Sequence, residues 1–253
     1  MRIVTFNVRC NWVGDGINSF VHRAGLIYGK IREERPDIIA FQEVTPKIAD
    51  FLSRMLADIY DVRTCYRSES FDGEGLTVAL RRDSFALDGI DYFWLSPTPD
   101  VPGSRFPEQS RCPRIAVLVK CREVKSGRII RLCNTHLDHK SEEARVLGIK
   151  LLLSRLESVQ SEHFMETVLL GDMNAEPGSD SIRACLEGSL GLCDLTHQIP
   201  ITYHGFAKNP GKKIDYIFAT GELAARASAP EIWPDSNEGI YLSDHYPIEI
   251  AFE

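Results

Sequence analysis

The chain has 253 residues, 43% of them hydrophobic and 26% charged, the proportions of an ordinary globular protein with enough apolar mass for a substantial core. Its net charge of −7 argues against a nonspecific grip on a nucleic acid backbone, which needs a basic surface, but not against a phosphate substrate whose charge a bound cation offsets. No run of about 18 apolar residues would span a membrane, and the scattered cysteines (Cys10, Cys65, Cys112, Cys121, Cys133, Cys185, Cys193), with no CxxC pair, indicate neither a disulfide framework nor a zinc knuckle and read mostly as small buried hydrophobes.

"RIVTFNV" predicts a first strand rather than a signal peptide, which places the protein in the cytoplasm. A helix follows over Phe20 to Glu34, then a buried strand in "DIIAFQEV" after the "RP" break. A second helix starts after Thr45, an N-cap with Pro46 at the first helical position. That β-α-β-α order opens an α/β domain.

The middle of the chain changes character. "LTVALRRD", "DYFWLS", "CPRIAVLVKCREV" and "GRIIRLCNTHLD" come in close succession, and "KSGR" makes the last two a hairpin, which demands antiparallel pairing. A helix over Glu142 to Ser158 leads to "TVLLGDMN", a helix after Gly178, "KIDYIFA" and the closing "YPIEIAF". Mixed sheets with helices outside fit this order better than a purely parallel sheet. The long irregular stretch, Ser96 to Pro113, is rich in proline and arginine, and loops of that length inside a domain tend to serve function.

Polar groups recur where these strands end. In "VTFNV", Val4, Phe6 and Val8 share one face, so Asn7 points the other way with Ile3 and Thr5. The second strand ends in Gln42 and Glu43, Asn134 and His136 share a face at a strand end, and "VLLGDMN" delivers Asp172 and Asn174. Asp215 sits amid apolar residues in "KIDYIF", and Asp244 and His245 precede the last strand. Each alone has a local explanation in turn chemistry. Together they do not, because buried carboxylates are costly unless paired or bound to a cation.

Phosphate ester hydrolysis with a hard divalent ion uses such a set. Glu43, helped by Asn7 and Asp244, offers oxygen donors that suit Mg²⁺ or Mn²⁺ better than zinc. Water needs a base and a positioner, for which Asp172 with Asn174, and His245, are candidates, and Asp215 can orient a histidine. His136 and Arg114 can donate to phosphoryl oxygens, and Arg105, Arg111, Lys208, Lys212 and Lys213 are candidates to grip further phosphates.

Taken in order, "TFNVR", "FQEV", "NTHLDH", "GDMNAEP", "KIDYIF" and "LSDHYPI" resemble the endonuclease/exonuclease/phosphatase superfamily of metal-dependent phosphoesterases, in its bacterial branch near the nocturnin-like deadenylases. The resemblance covers the chain and implies one domain over 1–253, a four-layered DNase I-like α/β sandwich of two mixed β-sheets flanked by helices. It further implies Asn7 and Glu43 at the metal, Glu43 being the main ligand, with Asp244 on the metal side. His136 matches a phosphate-contacting histidine, Asp172 and Asn174 the pair that aligns or activates water, His245 the catalytic histidine and Asp215 its orienting acid. In "RSESFDGEGLTVALRRD" Gly73 and Glu74 match the bacterial branch while the residues before them differ. Asp15 and Arg23, in "GDGINSFVHR", lie in a segment that usually carries Trp where Phe20 stands, and Arg23 reads either as a helix-surface charge or as a substrate contact.

The expected activity is hydrolysis of a phosphate mono- or diester in a small phosphorylated metabolite or nucleotide, with a nuclease acting on DNA or RNA as the alternative and no membrane partner. "HLDH" lacks the upstream histidine of a zinc β-lactamase-type run, and no GxSxG, P-loop or GxGxxG occurs. A noncatalytic phosphate-binding member of the fold would be marked by loss of Glu43, Asp172, Asp215 or His245, and all four are present.

Overall fold

In the computed structural model, which describes residues 1–160, 165–208 and 210–253, strand β1 (Arg2–Asn7) pairs in parallel with β2 (Ile38–Val44). Helix α1 (Phe20–Glu34) makes the crossover between them and stops at Arg35, which takes a left-handed φ of 47° ahead of Pro36. Helix α2 (Pro46–Met55) starts at Pro46 as the sequence predicts. The Thr45 hydroxyl, however, caps nothing and is buried without a partner, so proline's fixed φ starts this helix without a side-chain cap.

Strand β3 (Tyr60–Tyr66) pairs antiparallel with β4 (Gly75–Arg81). Next come β5 (Phe85–Trp94), β6 (Ile115–Glu123), β7 (Ile129–His136) and helix α3 (Glu142–Gln160). Strand β8 (Glu166–Asp172), helix α4 (Asp180–Glu187), β9 (Leu192–Asp194) and β10 (Asp215–Thr220) follow. The chain closes through helix α5 (Gly221–Ala224), β11 (Glu231–Ile232), β12 (Ser236–Asn237), β13 (Ile240–Tyr241) and β14 (Ile248–Ala251). Strand β3 escapes the hydrophobic-run reading because it is an edge strand whose Asp61 and Arg63 alternate with Tyr60 and Val62.

Two six-stranded sheets result, ordered β11-β14-β1-β2-β4-β3 and β5-β6-β7-β8-β10-β9. Each is mixed, because β1 with β2 and β7 with β8 are parallel while the remaining neighbours are antiparallel. The two-residue side-chain period sorts the core into three layers. Ile3, Ile38, Ala40 and Val78 meet Val117, Leu132, Leu170 and Ile217 between the sheets. On the outer face of the first sheet Val4, Phe6, Ile39 and Phe41 pack under Ile27, Ile31, Ile48 and Leu52 of α1 and α2. On the outer face of the second, Cys133, Leu169 and Phe218 pack under Ile149, Leu152 and Leu156 of α3. Each such buried Val, Leu, Ile or Phe side chain contributes about 1.5–3 kcal/mol. The fold is therefore helix, sheet, sheet, helix, the DNase I-like sandwich. Among the described residues no helix is long and apolar enough to cross a membrane. All seven cysteines are free; Cys65, Cys121, Cys133 and Cys185 are buried, Cys10 and Cys112 half-buried and Cys193 exposed.

Strand direction decides where the polar ends collect. The parallel pairs put the C-terminal ends of β1, β2, β7 and β8 at one end of the sandwich. Their antiparallel neighbours β4, β6, β10 and β14 begin there. Beneath that end two buried amides tie the sheets together: Gln42 Nε2 donates to Asn134 Oδ1 at 2.8 Å, and Asn134 Nδ2 donates to the Phe41 carbonyl at 3.0 Å.

Candidate active site

Local backbone features aim the side chains outward from those strand ends. The β2–β4 register slips between Phe41 and Val44, and Glu43 takes a left-handed φ of 61° within the slip, so its carboxylate leaves the sheet plane. Gly171, paired with Thr135, has φ 134°, and a Cβ there would lie 1.9 Å from the Thr135 carbonyl oxygen. Only glycine lets β8 approach β7 this closely and still present Asp172 beside His136. Strand β8 ends at Asp172. Asn174 is left-handed at φ 47°, its N–H donates to Asp172 Oδ1 at 2.9 Å, and its Nδ2 donates to the Leu137 carbonyl at 3.1 Å.

The side chains form one connected cluster. Asn7 Nδ2 donates to Glu43 Oε1 at 3.1 Å and, across the sheets, to Asp172 Oδ2 at 3.0 Å. His245 Nδ1 donates to Asp215 Oδ2 at 2.8 Å, while its Nε2 lies 3.8 Å from Asp172 Oδ2 and 3.4 Å from Asn7 Nδ2. His136 Nε2 lies 3.5 Å from the same Asp172 oxygen. Asp244 sits on the Glu43 side, 3.7 Å from Arg9 Nε, and Arg9 also pairs with Asp15 at 3.0 Å. A cavity of about 660 Å³ opens over the cluster, and Glu43, Arg114, His136, Asp172, Asn174 and His245 all line it.

Burial and mutual charge set the protonation states. Burial raises Asp172, and the nearby Asp215 charge adds to this, so its carboxyl is pushed up to about 7. Burial alone would discharge His245, but the Asp215 charge and hydrogen bond, then Asp172 and Asp244, hold it up to about 10. The ring is an imidazolium at neutral pH. His136 goes the opposite way, driven well below its ordinary value by burial and by Arg114 and Arg67, and is neutral. Glu43 stays low despite burial, because the Cys10 N–H, His245, Arg9 and Asn7 favour its anion. Glu74 and Asp244 are both raised, first by burial, with the Glu43 charge contributing.

These directions test whether a cation suits the site. Glu43, Glu74, Asp172, Asp215 and Asp244 converge, and burial pushes Glu74, Asp172 and Asp244 toward their protonated forms, which marks a site short of positive charge. A hard divalent ion would supply it. Among the described residues, two sets bring their donor atoms within 4.8 Å of one another: Cys10, Glu43 and Glu74, and the buried Asp172, Asp215 and His245. Asn7 turns its nitrogen to Glu43 and gives its Oδ1 to the Arg9 N–H, so it holds the carboxylate in place.

Several sequence expectations need correction. Arg23 is neither a surface charge nor a substrate contact. It is fully buried and clamps the carbonyls of Val8, Arg9, Asn18 and Leu242, its guanidinium lowered to about 10 by burial. Lys213 is buried too, bound to the Thr196 carbonyl at 2.7 Å and lying over the Tyr216 ring, so it grips protein and no substrate. Arg105 bonds the Ser110 carbonyl, and Arg105, Arg111 and Lys208 do not line the cavity. Lys212 lines it and pairs with Glu176 at 3.3 Å.

Arg114 does reach the site. It is 4% exposed, its Nη2 meets His139 Nδ1 at 3.1 Å, and its Nε and Nη1 have no hydrogen-bond partner. The sequence reading missed Arg67, Cys10 and His139 in the cavity wall. Arg67 pairs with Glu74 at 2.7 Å, and its carbonyl accepts from Trp94 Nε1 at 2.7 Å, joining two loops into one wall. The available signal was "GEG" at the start of β4 beside "RSES", a carboxylate at another strand end.

A family profile described as the Endonuclease/Exonuclease/phosphatase family matches residues 4–245. The chain is 28% identical to an endonuclease/exonuclease/phosphatase from Bacteroides vulgatus, covering 100% of this chain and 98% of that one with a TM-score of 0.90. It shares its fold with a mannosyl-6-phosphatase of Bacteroides thetaiotaomicron, at TM-score 0.89 and 22% identity over 100% of this chain and 99% of that one. D. rerio TDP2, solved with a single-strand DNA product, has the same fold at TM-score 0.76 and 19% identity, covering 100% and 98%.

Proposed function

Because the chain belongs to the endonuclease/exonuclease/phosphatase family, and so is a hydrolase of phosphate ester bonds, we propose that it removes or cleaves the phosphate of a small phosphorylated molecule with Mg²⁺ or Mn²⁺. The observation that carries this reading is the meeting, at one cavity, of an anionic cluster and an unsatisfied buried guanidinium. Arg114 keeps two nitrogens, Nε and Nη1, without hydrogen-bond acceptors beside the neutral His136, and phosphoryl oxygens are the acceptors that fit. A bounded cavity of about 660 Å³ has the size of a metabolite site, and the net charge of −7 disfavours a long polyanion.

Glu43 would hold the ion, with Asp244 on the same side and Asn7 orienting the carboxylate, and the ion when bound would supply the positive charge that the acidic cluster lacks and that a phosphoryl group in displacement needs. Asp172 is the base in this reading. Its carboxyl, pushed up to about 7, can take a proton from water near neutral pH, and Asn174 fixes its orientation. His245, protonated and held by Asp215, cannot accept that proton; it presents its Nε2–H to the phosphoryl oxygens as they gain charge. His136 and Arg114 donate to the same oxygens. As the water oxygen bonds to phosphorus, the bond to the leaving oxygen breaks and that oxygen is protonated from solvent.

The fold shared with a mannosyl-6-phosphatase supports a sugar phosphate or similar metabolite. The neighbour holding a single-strand DNA product makes nucleic acid the competitor to test. Phosphate release from sugar phosphates, mononucleotides, inositol phosphates and lipid diesters, and cleavage of short RNA and DNA, should be measured with and without Mg²⁺ and Mn²⁺. Hydrolysis is expected from a small phosphate with added metal and not from Glu43→Ala or His245→Ala. Faster turnover of oligonucleotides would replace the metabolite reading, and equal rates in wild type and His245→Ala would sink the enzymatic one.

A further inference from the structure

The carboxylate assigned here to the metal has a sulfur beside it. Cys10 Sγ, an oxygen of Glu43 and an oxygen of Glu74 all lie within 4.8 Å of one another. The Cys10 N–H donates to Glu43 Oε2 at 2.9 Å, which fixes that residue against the carboxylate. Glu74 pairs with Arg67 through Oε2 at 2.7 Å, so Oε1 is available to a ligand. All three residues line the cavity. A small recess is lined by Glu43, Glu74 and Arg114, the last a buried guanidinium whose Nε and Nη1 lack hydrogen-bond partners. Two carboxylates and a thiol, with a buried guanidinium that keeps two unsatisfied nitrogens in the same cavity wall, describe a place for a cation that carries an anionic ligand of its own, such as hydroxide, chloride or a phosphate oxygen.

Donor softness selects the cation. Mg²⁺ takes oxygen donors, keeps waters and gains nothing from sulfur, whereas zinc-type ions bind thiolate together with carboxylate. We infer that Cys10, Glu43 and Glu74 form a mixed sulfur–oxygen site for a thiophilic divalent cation of the zinc type, through which such ions compete with Mg²⁺ at the cleft. Binding converts the Cys10 thiol to thiolate, and its proton passes to solvent. The inference rests on Glu43 as the metal donor and differs from the hydrolytic reading in requiring the sulfur.

Co²⁺ is the probe, titrated into the full chain after EDTA treatment and desalting, with absorbance as the readout. A thiolate-to-cobalt charge-transfer band is expected to saturate at about one equivalent and to vanish on adding Zn²⁺. It is expected to be absent from Cys10→Ser and to need about tenfold more cobalt in Glu74→Gln. Absence of the band from the wild type overturns the inference whatever happens to the variants. So does a band that persists in a folded Cys10→Ser protein, since another thiol such as the exposed Cys193 would then be its source. Mg²⁺-dependent phosphate release is measured on the same preparations. A cobalt band without phosphate release fails the hydrolytic reading and leaves the sulfur site standing; release without the band does the reverse.

Discussion

Replacing Asp215 by Asn keeps the shape of the buried pair and removes the charge that holds His245 protonated. In the intact protein that histidine is pushed up to about 10 from an ordinary 6.5, against burial, chiefly by Asp215. At about 1.4 kcal/mol per tenfold change in proton affinity, the gap corresponds to at most about 5 kcal/mol favouring the imidazolium, of which Asp172 and Asp244 retain a share in the variant. The consequence for stability has a definite sign. A histidine whose folded value is raised stabilises fully below about 6.5 and loses that contribution as pH rises through about 10. Asp172, raised to about 7 from 3.8, holds a proton in the folded state that the unfolded chain releases, so between those values it too lowers stability as pH rises. Urea unfolding of the metal-free protein should therefore show stability falling from about pH 6 to about pH 10, with a shallower fall in Asp215→Asn. NMR titration should place the variant's His245 ring near or below its ordinary value, and kcat should drop about 10²- to 10⁴-fold with a smaller change in KM. A wild type equally stable at both ends of that range, or a variant whose His245 still titrates near 10, would refute the charge argument.

Arg114→Met removes a buried, half-satisfied cation. It is expected to stabilise the metal-free protein by about 1–3 kcal/mol, seen as a higher Tm, while raising KM for the phosphate substrate about 10- to 100-fold. Gly171→Ala would press a Cβ to 1.9 Å from the Thr135 carbonyl oxygen, so a loss of about 3 kcal/mol or more is expected in denaturant melts. The same change should cut activity even where the fold survives, because Asp172 follows directly. Glu43→Ala should lower the Mg²⁺-supported rate about 10³-fold and abolish the Mg²⁺ binding heat in calorimetry, with the melting curve shifted by little.

Much of the architecture was legible in the chain because period-two alternation and strong breakers act locally. Val4, Phe6 and Val8 assign one face of the first strand, Asn7 the other, and "RP" ends the first helix. The family words located Glu43, His136, Asp172, Asp215 and His245, and these meet within a few ångströms. What stayed hidden was decided by neighbours remote in sequence. Arg23 read as either a helix-surface charge or a substrate contact, yet the carbonyls of Val8 and Leu242, from distant segments, close around it. Lys213 looked like a phosphate grip until Thr196 and Tyr216 enclosed it. The left-handed turn that sets Asn174 just past the end of its strand was likewise not written in the chain.

The division is thus physical. Residue types at strand ends, set by the local pattern, determined that carboxylates and histidines would gather at one end of the sandwich. Their order in the chain carries no record of protonation state. Only the packed sandwich, by burying Asp172 between Asp215 and His245 and by leaving two Arg114 nitrogens without acceptors, raised one carboxyl to about 7, raised one histidine and lowered the other. Only it, too, set the Cys10 sulfur beside Glu43, since desolvation and charge proximity act through space.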